Sequence, residues 1–213
     1  MVDQRIETSD LLGILDATPR DGRTIVAVAG APGSGKSTLA EALVDGLNAR
    51  AAGRAALLPM DGFHFDDLVL DALGRRARKG APDTFDVGGL DHTLARLRAR
   101  NEAFVAVPVF DRAIEIARAG ARLIPAEVPV IVAEGNYLLL KDAPWSALAR
   151  HFDLTVRLAV PEAELRARLE RRWQGFGLPP SEVARKLEDN DLPNGRLVRM
   201  RSRAANYVIG SDG

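Results

Sequence analysis

The chain of 213 residues contains no cysteine, and this absence removes several kinds of chemistry at once. Without thiols there is no disulfide framework, no thiolate nucleophile and no cysteine-ligated zinc site. The sequence also lacks an excess of either charge, since 29 Lys and Arg residues balance 29 Asp and Glu residues. A neutral chain has no overall field that attracts nucleic acid or an anionic membrane, so we expect neither as a partner.

Long hydrophobic runs are missing as well. No apolar stretch approaches the roughly 20 residues that a membrane span requires. The opening residues, MVDQRIETSD, are polar and acidic, unlike a secretory signal. A hydrophobic content of 46% is nevertheless ordinary for a globular protein with a buried core. We therefore expect a cytoplasmic protein whose residues 1–213 form a single domain.

Short apolar runs alternate with helical patterns along the chain. Strands are expected at residues 25–29, 55–59, 104–109, 128–133, 154–158 and 207–209. Helices are expected at residues 37–49, 90–100, 161–173 and 181–205, the last broken near Pro193-Asn194-Gly195. Residues 113–124 fit either a hairpin or a short helix, and residues 62–90 show no clear period. This alternation predicts an α/β fold of three layers, a parallel β-sheet with helices on both faces.

A glycine-rich stretch between the first expected strand and the first expected helix fits the pattern G-x-x-x-x-G-K-[ST] without a mismatch. Such glycines let backbone N–H groups surround phosphate oxygens, and the positive end of the following helix faces the same anion. Its lysine is placed to reach the outer phosphates of ATP and its serine to ligate Mg²⁺. A merely structural turn is the alternative, but the strand–loop–helix context favours a nucleotide site. The residues are Gly30, Ala31, Pro32, Gly33, Ser34, Gly35, Lys36, Ser37 and Thr38.

Two carboxylates follow expected strands. Glu134 comes directly after the apolar run 128–133, where the carboxyl end of a parallel strand meets the ligand edge of the sheet. It is a candidate Mg²⁺ ligand, or else a simple strand cap. Asp61 follows the run 55–59 and is a candidate base for an attacking hydroxyl. The pair Asp61-Gly62 is also a common turn, so both interpretations stay open.

An arginine-rich helix precedes a Gly- and Pro-rich segment at residues 174–180. Its arginines are Arg166, Arg168, Arg171 and Arg172. A charge run on a helix is often a solvated face paired with nearby glutamates. Arginines beside a flexible segment also suit a lid over residues 166–180 that closes on a transferring phosphate.

Several blocks occur in a characteristic order: AGAPGSGKST, LPMDGFH, RKGAPDTFD, VPVFDR, VIVAEGNYLLL, the arginine-rich helix and RSRAANYVI. In this order they resemble the P-loop small-molecule kinases, which include uridine kinase, phosphoribulokinase and bacterial-type pantothenate kinase. The resemblance covers nearly all of residues 24–209. Within the family the chain is most similar to bacterial proteins described as fructose-transport-system kinases. The resemblance implies a P-loop NTPase fold and ATP-dependent transfer to a small molecule.

The resemblance also implies roles for single residues. Asp61 matches the proposed base toward the substrate hydroxyl, and Glu134 matches the acid associated with Mg²⁺. Arg168 and Arg172 match lid arginines that approach the phosphates. Arg203 lies in the segment that matches the region beside the adenine ring. Related kinases form dimers and tetramers, so a homodimer is an expected arrangement.

Departures from the family pattern concern the acceptor side, residues 62–125. Where pantothenate kinases read P-V-Y-S-H, this chain has Pro108-Val109-Phe110-Asp111-Arg112. Asp111 suits hydroxyl groups and Arg112 suits an anionic or carbonyl group, unless the two simply pair with each other. His64 is a further candidate substrate contact, although a lone histidine carries little information. These residues fit a polyhydroxylated acceptor, a sugar or another polyol, with or without an anionic group.

Two other function classes remain at this point. The sequence has no N-K-x-D run for guanine and no L-S-G-G-Q signature, which disfavours a GTPase switch or a transporter ATPase. A regulatory protein that binds ATP, or an ATPase without a small-molecule acceptor, is the remaining alternative. Product analysis separates these classes from a kinase.

Overall fold

The computed structural model describes residues 3–18 and 22–210. In chain order the elements are β1 (Gln4–Arg5), α1 (Thr8–Asp16), β2 (Thr24–Gly30), α2 (Lys36–Arg50), β3 (Ala55–Pro59), α3 (Asp67–Ala72), α4 (Val87–Ala99), β4 (Phe104–Asp111), β5 (Ile116–Pro125), β6 (Val130–Gly135), β7 (Leu154–Ala159), α5 (Glu162–Gly175), α6 (Pro180–Lys186), α7 (Leu192–Arg201) and β8 (Tyr207–Gly210). A π-helical turn, Leu187–Asp191, joins α6 to α7. The strands expected at 55–59 and 154–158 and the helix expected at 37–49 are confirmed to within a residue or so.

Six strands form one parallel sheet in the order β1-β8-β7-β2-β6-β3. Strand β6 is buried along its whole length, and β2 is buried from its second residue onward. Continuous burial explains why both strands read as unbroken apolar runs rather than as alternating patterns. The sheet register places Glu134 opposite Val28 on one side and opposite Pro59 on the other. The carboxyl ends of β2, β3 and β6 therefore meet at one edge.

Helices cover both faces of the sheet, as expected. Ile25 and Ile131 lie in one apolar core together with side chains of α4, the β4–β5 hairpin and α7. Their neighbours Val26 and Val132 lie in the opposite core, against α1 and α2. Successive side chains of a strand point to opposite faces, so the two central strands supply both cores. No helix in the described ranges is long and apolar enough to span a membrane.

The segment 113–124, which fitted two structures in the sequence, belongs to a hairpin. Strand β5 pairs antiparallel with β4. The hairpin approaches the turn after β3 very closely at Gly62, where an added Cβ would lie 2.4 Å from the Pro108 carbonyl oxygen. The absence of a side chain at Gly62 thus allows the hairpin to lie beside Asp61.

Two sequence expectations are wrong in part. Residues 62–90 are not wholly irregular, because they contain α3 and the first turn of α4, capped by the side chains of Asp66 and Asp86. The helix at 181–205 is not broken at Pro193-Asn194-Gly195, which lies inside α7. Since proline has no N–H to donate, the irregularity falls one turn earlier, where the Leu192 N–H donates to the Leu187 carbonyl.

Candidate active site

The loop between β2 and α2 is built for a phosphate group. Gly33 and Gly35 have φ angles of 78° and 91°, a left-handed conformation that glycine adopts freely. Gly30 approaches Ser34 so closely that a Cβ would lie 2.5 Å from the Ser34 Oγ. That hydroxyl is buried and makes no hydrogen bond to any described residue. Buried polar groups are rarely left unpaired, so this one fits a ligand oxygen.

Lys36 and Ser37 begin α2 beneath this loop, and Thr38 is exposed on the same turn. The Lys36 ammonium has no hydrogen-bond or ion-pair partner in the described part of the chain, so it is available to a bound phosphate. The Ser37 hydroxyl donates to Glu134 Oε2 at 3.2 Å. Burial raises the pKa of Glu134, and the charge of Lys36 opposes this rise.

A hydroxyl and one carboxylate at hydrogen-bond distance suit Mg²⁺, which binds through one or two carboxylates, substrate phosphates and several waters. Residues 3–18 and 22–210 contain no cluster of three or more His, Asp or Glu side chains that would form an all-protein cage. Ser37 and Glu134 are therefore the side chains that fit the metal of a MgATP complex.

Asp61 lies in the 3-10 turn Met60–Phe63 that follows β3, across from Glu134. Its Oδ2 accepts a hydrogen bond from Arg112 Nη2 at 2.5 Å. Burial raises the pKa of the Asp61 carboxyl, but the positive charges around it lower that pKa by more, so the net shift is downward. Asp61 is therefore ionised at neutral pH, and the interpretation as a plain turn does not explain its contact with Arg112.

His64 lies beside Asp61 and packs on the rings of Phe85 and Phe110, with centroid distances of 4.0 and 4.9 Å. Its Nδ1 is 2.8 Å from the Asp61 carbonyl oxygen, and because that oxygen only accepts, Nδ1 carries the proton. Burial lowers the pKa of His64. The positive charge of His64 when it is protonated, followed by the charges of Arg112 and Lys36, lowers the pKa of Asp61.

A cavity of about 170 Å³ joins these groups. It is lined by Lys36, Asp61, His64, Arg112 and Arg172, all of which the sequence singled out. It is also lined by residues that the sequence reasoning missed: Lys79, Asn136, Trp173, Lys186, Asn190 and Asp191. The one sequence signal for part of this group is the Asn- and Asp-rich segment before Pro193, which forms the π-helical turn. Such turns are frequent at functional sites.

Side-chain amides tie this turn to the loop that carries Lys79. Asn190 Nδ2 donates to the Lys79 carbonyl at 2.8 Å, and the Tyr137 hydroxyl donates to the Gly80 carbonyl at 2.5 Å. The buried Asn194 donates to Asn190 Oδ1 at 3.1 Å. The loop that carries Lys79 and the helical side of the cavity are therefore held together by hydrogen bonds between segments that are distant in sequence.

The arginines of α5 have different environments. Arg168 donates to the carbonyl of Ser34 at 3.1 Å and to Glu164 Oε1 at 2.5 Å, so it braces the phosphate loop. Arg172 lines the cavity and lies 5.4 Å from the Trp173 ring, with no hydrogen bond or ion pair to a described residue. Arg166 pairs with Glu188 at 2.6 Å on the surface. The solvated-face interpretation therefore fits Arg166 and, through its pair with Glu164, part of the environment of Arg168, but it does not fit Arg172.

Two predicted site residues lie elsewhere. Asp111 pairs with Arg118 at 3.2 Å while Arg112 pairs with Asp61, so the predicted alternative of a mutual Asp111–Arg112 pair is wrong. Asp111 does not line the described cavity, because its carboxylate turns toward β5. Arg203 donates its backbone N–H to the Leu139 carbonyl and places its guanidinium 6.0 Å from the Phe152 ring.

A second, small cavity adjoins the phosphate loop at Ala31 and Pro32. Its basic side chains come from β7 and α7 rather than from the segment around Arg203: Arg157, Arg196 and Arg199. Arg203 lines neither this cavity nor the one that contains Asp61, and its expected place beside the adenine ring stays a prediction.

Comparison with known proteins places this site in a family. The chain matches no protein-family model. It is 35% identical over 201 residues to the uncharacterized protein YggC of Escherichia coli (strain K12), covering 93% of this chain and 82% of the relative. It is 34% identical over 195 residues to a Schizosaccharomyces pombe protein with the provisional name uridine kinase C227.14, covering 88% and 83% of the two chains. The chain belongs to the P-loop small-molecule kinases.

A solved structure agrees with this assignment. The protein from Silicibacter sp. TM1040 with the provisional name fructose transport system kinase is 41% identical to this kinase. The match has a TM-score of 0.86 and covers 95% of this chain and 98% of the other. The fold expected from the sequence, a parallel-sheet P-loop fold with helices on both sides, is thereby confirmed, as is the class of small-molecule kinase.

Proposed function

We propose that this kinase transfers the γ-phosphate of MgATP to a hydroxyl group of a small metabolite, a sugar or another polyol. One observation carries the proposal: the ionised carboxylate of Asp61 lines the same cavity as the unpaired ammonium of Lys36. A base for a hydroxyl and a cation for a phosphate are thus within one small space. A protein that only binds a nucleotide has no use for the first of these groups.

In this mechanism Asp61 orients the acceptor hydroxyl and takes its proton as the oxygen attacks the γ-phosphorus. A new O–P bond forms on one side, and the bond to the β,γ-bridging oxygen breaks on the other, so that ADP leaves. Lys36 and Arg172 offset the negative charge that spreads over the phosphoryl oxygens in the transition state. Ser37 and Glu134 would hold Mg²⁺, which would neutralise a further part of the phosphate charge.

The cavity walls support a polyol as acceptor. Asn136 lines the cavity, and its buried Oδ1 atom has no hydrogen-bond partner among the described residues. Asn190 and Asp191 add an amide and a carboxylate to the same space. Amide and carboxylate oxygens accept hydrogen bonds from hydroxyl groups. In this proposal residues 62–125 bind the acceptor, and residues 166–180 act as a lid that carries Arg172.

The test is a product assay with MgATP and a panel of sugars, nucleosides, pantothenate and other polyols. The phosphorylated product is detected by its mass. We expect a phosphorylated acceptor with the native protein, and none with Asp61→Asn, which keeps its affinity for ATP. Asp45→Asn, an exposed site on α2, is the matched control and retains activity. Release of free phosphate without an acceptor would indicate an ATPase, and ATP binding without either product would indicate a regulatory protein.

A further inference from the structure

Positive charge is in excess around two cavities that adjoin the one that contains Asp61, although the chain as a whole is neutral. We call the cavity that contains Asp61 the inner cavity and the two that share Lys79 and Lys186 with it the outer cavities. One outer cavity has four basic residues and the acids Asp67 and Glu115. The other is lined by five basic residues and one acidic residue: Arg76, Arg78, Lys79, Arg185, Lys186 and Asp189. An excess of one charge in a cleft attracts and retains ligands of the opposite charge.

Lys79 and Lys186 line all three cavities and so lie where they join. Lys79 is fixed in place, because its ammonium donates to Asp67 Oδ1 and to the Glu115 carbonyl, each at 2.7 Å. The Lys186 ammonium lies 4.5 Å from the centre of the Trp173 ring and has no hydrogen-bond or ion-pair partner in the described ranges. Its three donors are therefore free to bind an oxyanion.

The phosphate donor does not account for all of this charge. Pro32 and Lys36 line the inner cavity, and neither outer cavity includes a residue of the phosphate loop. Arg172 lines only the inner cavity of these three. Lys79 and Lys186 share the inner cavity with Lys36, whereas Arg76, Arg78 and Arg185 line the outer cavities alone. The charge of these three arginines therefore lies outside the space that contains Lys36.

We propose that the acceptor of this kinase is an anion, a hydroxylated metabolite whose phosphate or carboxylate group binds Lys186 and Lys79 while its hydroxyl lies at Asp61. This inference rests on the proposed function and narrows its substrate class. The expected consequence is that neutral sugars and nucleosides are poor acceptors, because they leave the unpaired ammonium of Lys186 without a counter-charge.

The experiment uses cell extract as the acceptor pool and the full chain as the enzyme. The extract is separated on an anion-exchange resin at pH 8 into unbound and salt-eluted fractions before the reaction. Each fraction, after desalting, is incubated with the kinase and γ-³²P-labelled MgATP. Label should enter a small molecule in the eluted fraction alone. That fraction is also pretreated with alkaline phosphatase, which is then inactivated by heat. The pretreatment abolishes labelling if the acceptor is a phosphate ester and does not affect labelling if the acceptor carries a carboxylate.

Lys186→Gln tests the residue itself. Loss of a charge-assisted hydrogen bond raises the half-saturating amount of the eluted fraction about tenfold or more, with turnover at saturation and the KM for ATP little changed. Lys141→Gln removes the same charge from an exposed position outside the three cavities, and its kinetics match those of the native protein.

The outcomes separate this inference from the proposed function. Labelling of an acceptor in the unbound fraction overturns the anionic acceptor and leaves the kinase mechanism standing. Equal behaviour of Lys186→Gln and Lys141→Gln with the eluted fraction removes Lys186 from the acceptor site. Labelling in neither fraction contradicts the proposed function and this inference together.

Discussion

Gly135, the last residue of β6, is packed against Met60, the residue before Asp61. An added Cβ at Gly135 would lie 2.4 Å from the Met60 Cβ and 2.6 Å from its Sδ. Met60 is only 1% exposed, so its side chain has no empty space to enter. Gly135→Ala must therefore push β6 and the turn after β3 apart. Overpacking of this kind costs about 1–3 kcal/mol of folding free energy.

For a chain of this size each kcal/mol corresponds to roughly 2–4 °C, so the melting temperature falls by about 2–12 °C. The same displacement moves Glu134 and Asp61 relative to each other, and a shift of about 1 Å at a catalytic group reduces turnover by up to about a hundredfold. Calorimetry and the phosphotransfer assay, performed on the same folded preparation, measure the two effects separately.

Gly13→Ala is the matched control. Gly13 lies inside α1, and an added Cβ there meets nothing within 4 Å. This change raises helix propensity by roughly 1 kcal/mol and leaves activity unchanged. If Gly135→Ala has the same melting temperature as the native protein, the contact between β6 and Met60 is not rigid. If it melts lower but keeps full turnover, the contact does not position the catalytic carboxylates.

Three further predictions concern the site. Arg112→Gln removes a charge that lowers the pKa of Asp61, so that pKa rises and the acid limb of the pH–kcat/KM profile moves to higher pH; an unmoved limb would mean that Asp61 is not the titrating base. Ser34→Ala removes a buried, unpaired hydroxyl, so folding stability without ligand holds or rises while the thermal shift produced by MgATP shrinks; an equal thermal shift contradicts a role in phosphate binding. Arg172→Ala lowers kcat more than it changes ATP affinity, whereas Arg168→Ala weakens ATP binding; titration and steady-state kinetics distinguish the two, and identical profiles would contradict their separate roles.

The sequence predicted the sheet and the donor half of the site because their signals are local. The phosphate loop is one contiguous motif, and the strands that flank it are apolar runs buried on both faces. Position at a strand end was enough to bring Asp61 and Glu134 to the same edge. These inferences need only the periodicity of a strand and the geometry of a parallel sheet.

The residues that we propose for acceptor binding could not be found by local reasoning, because their contacts join segments that are far apart in the chain. Asn190 meets the Lys79 carbonyl across 111 residues, and Arg112 meets Asp61 across 51. The residues that flank each partner show no sequence pattern that would predict the contact. The pairing of Asp111 with Arg118 was missed for a related reason, since it requires knowing that residues 113–124 belong to a hairpin.

Helix α1 was missed despite a usable signal. Asp10 accepts a hydrogen bond from the Glu7 backbone, and Leu11 and Leu15 follow at helical spacing.

The sequence expectation of a helix break at Pro193 was wrong for a different reason. A proline can stand in the first turn of a helix without breaking it, provided that the turn before it is rearranged.

The π-helical turn at Leu187–Asp191 also sets how this enzyme can change over evolution. A helix turns by about 100° per residue, so the loss of one residue there would rotate everything on one side of the deletion relative to the other. Such a rotation would remove three side chains from the cavity together, without any amino-acid substitution: Asn190, Asp191 and Asn194. A single deletion in this turn would therefore change the contacts of all three residues at once, whereas each point mutation changes one contact at a time.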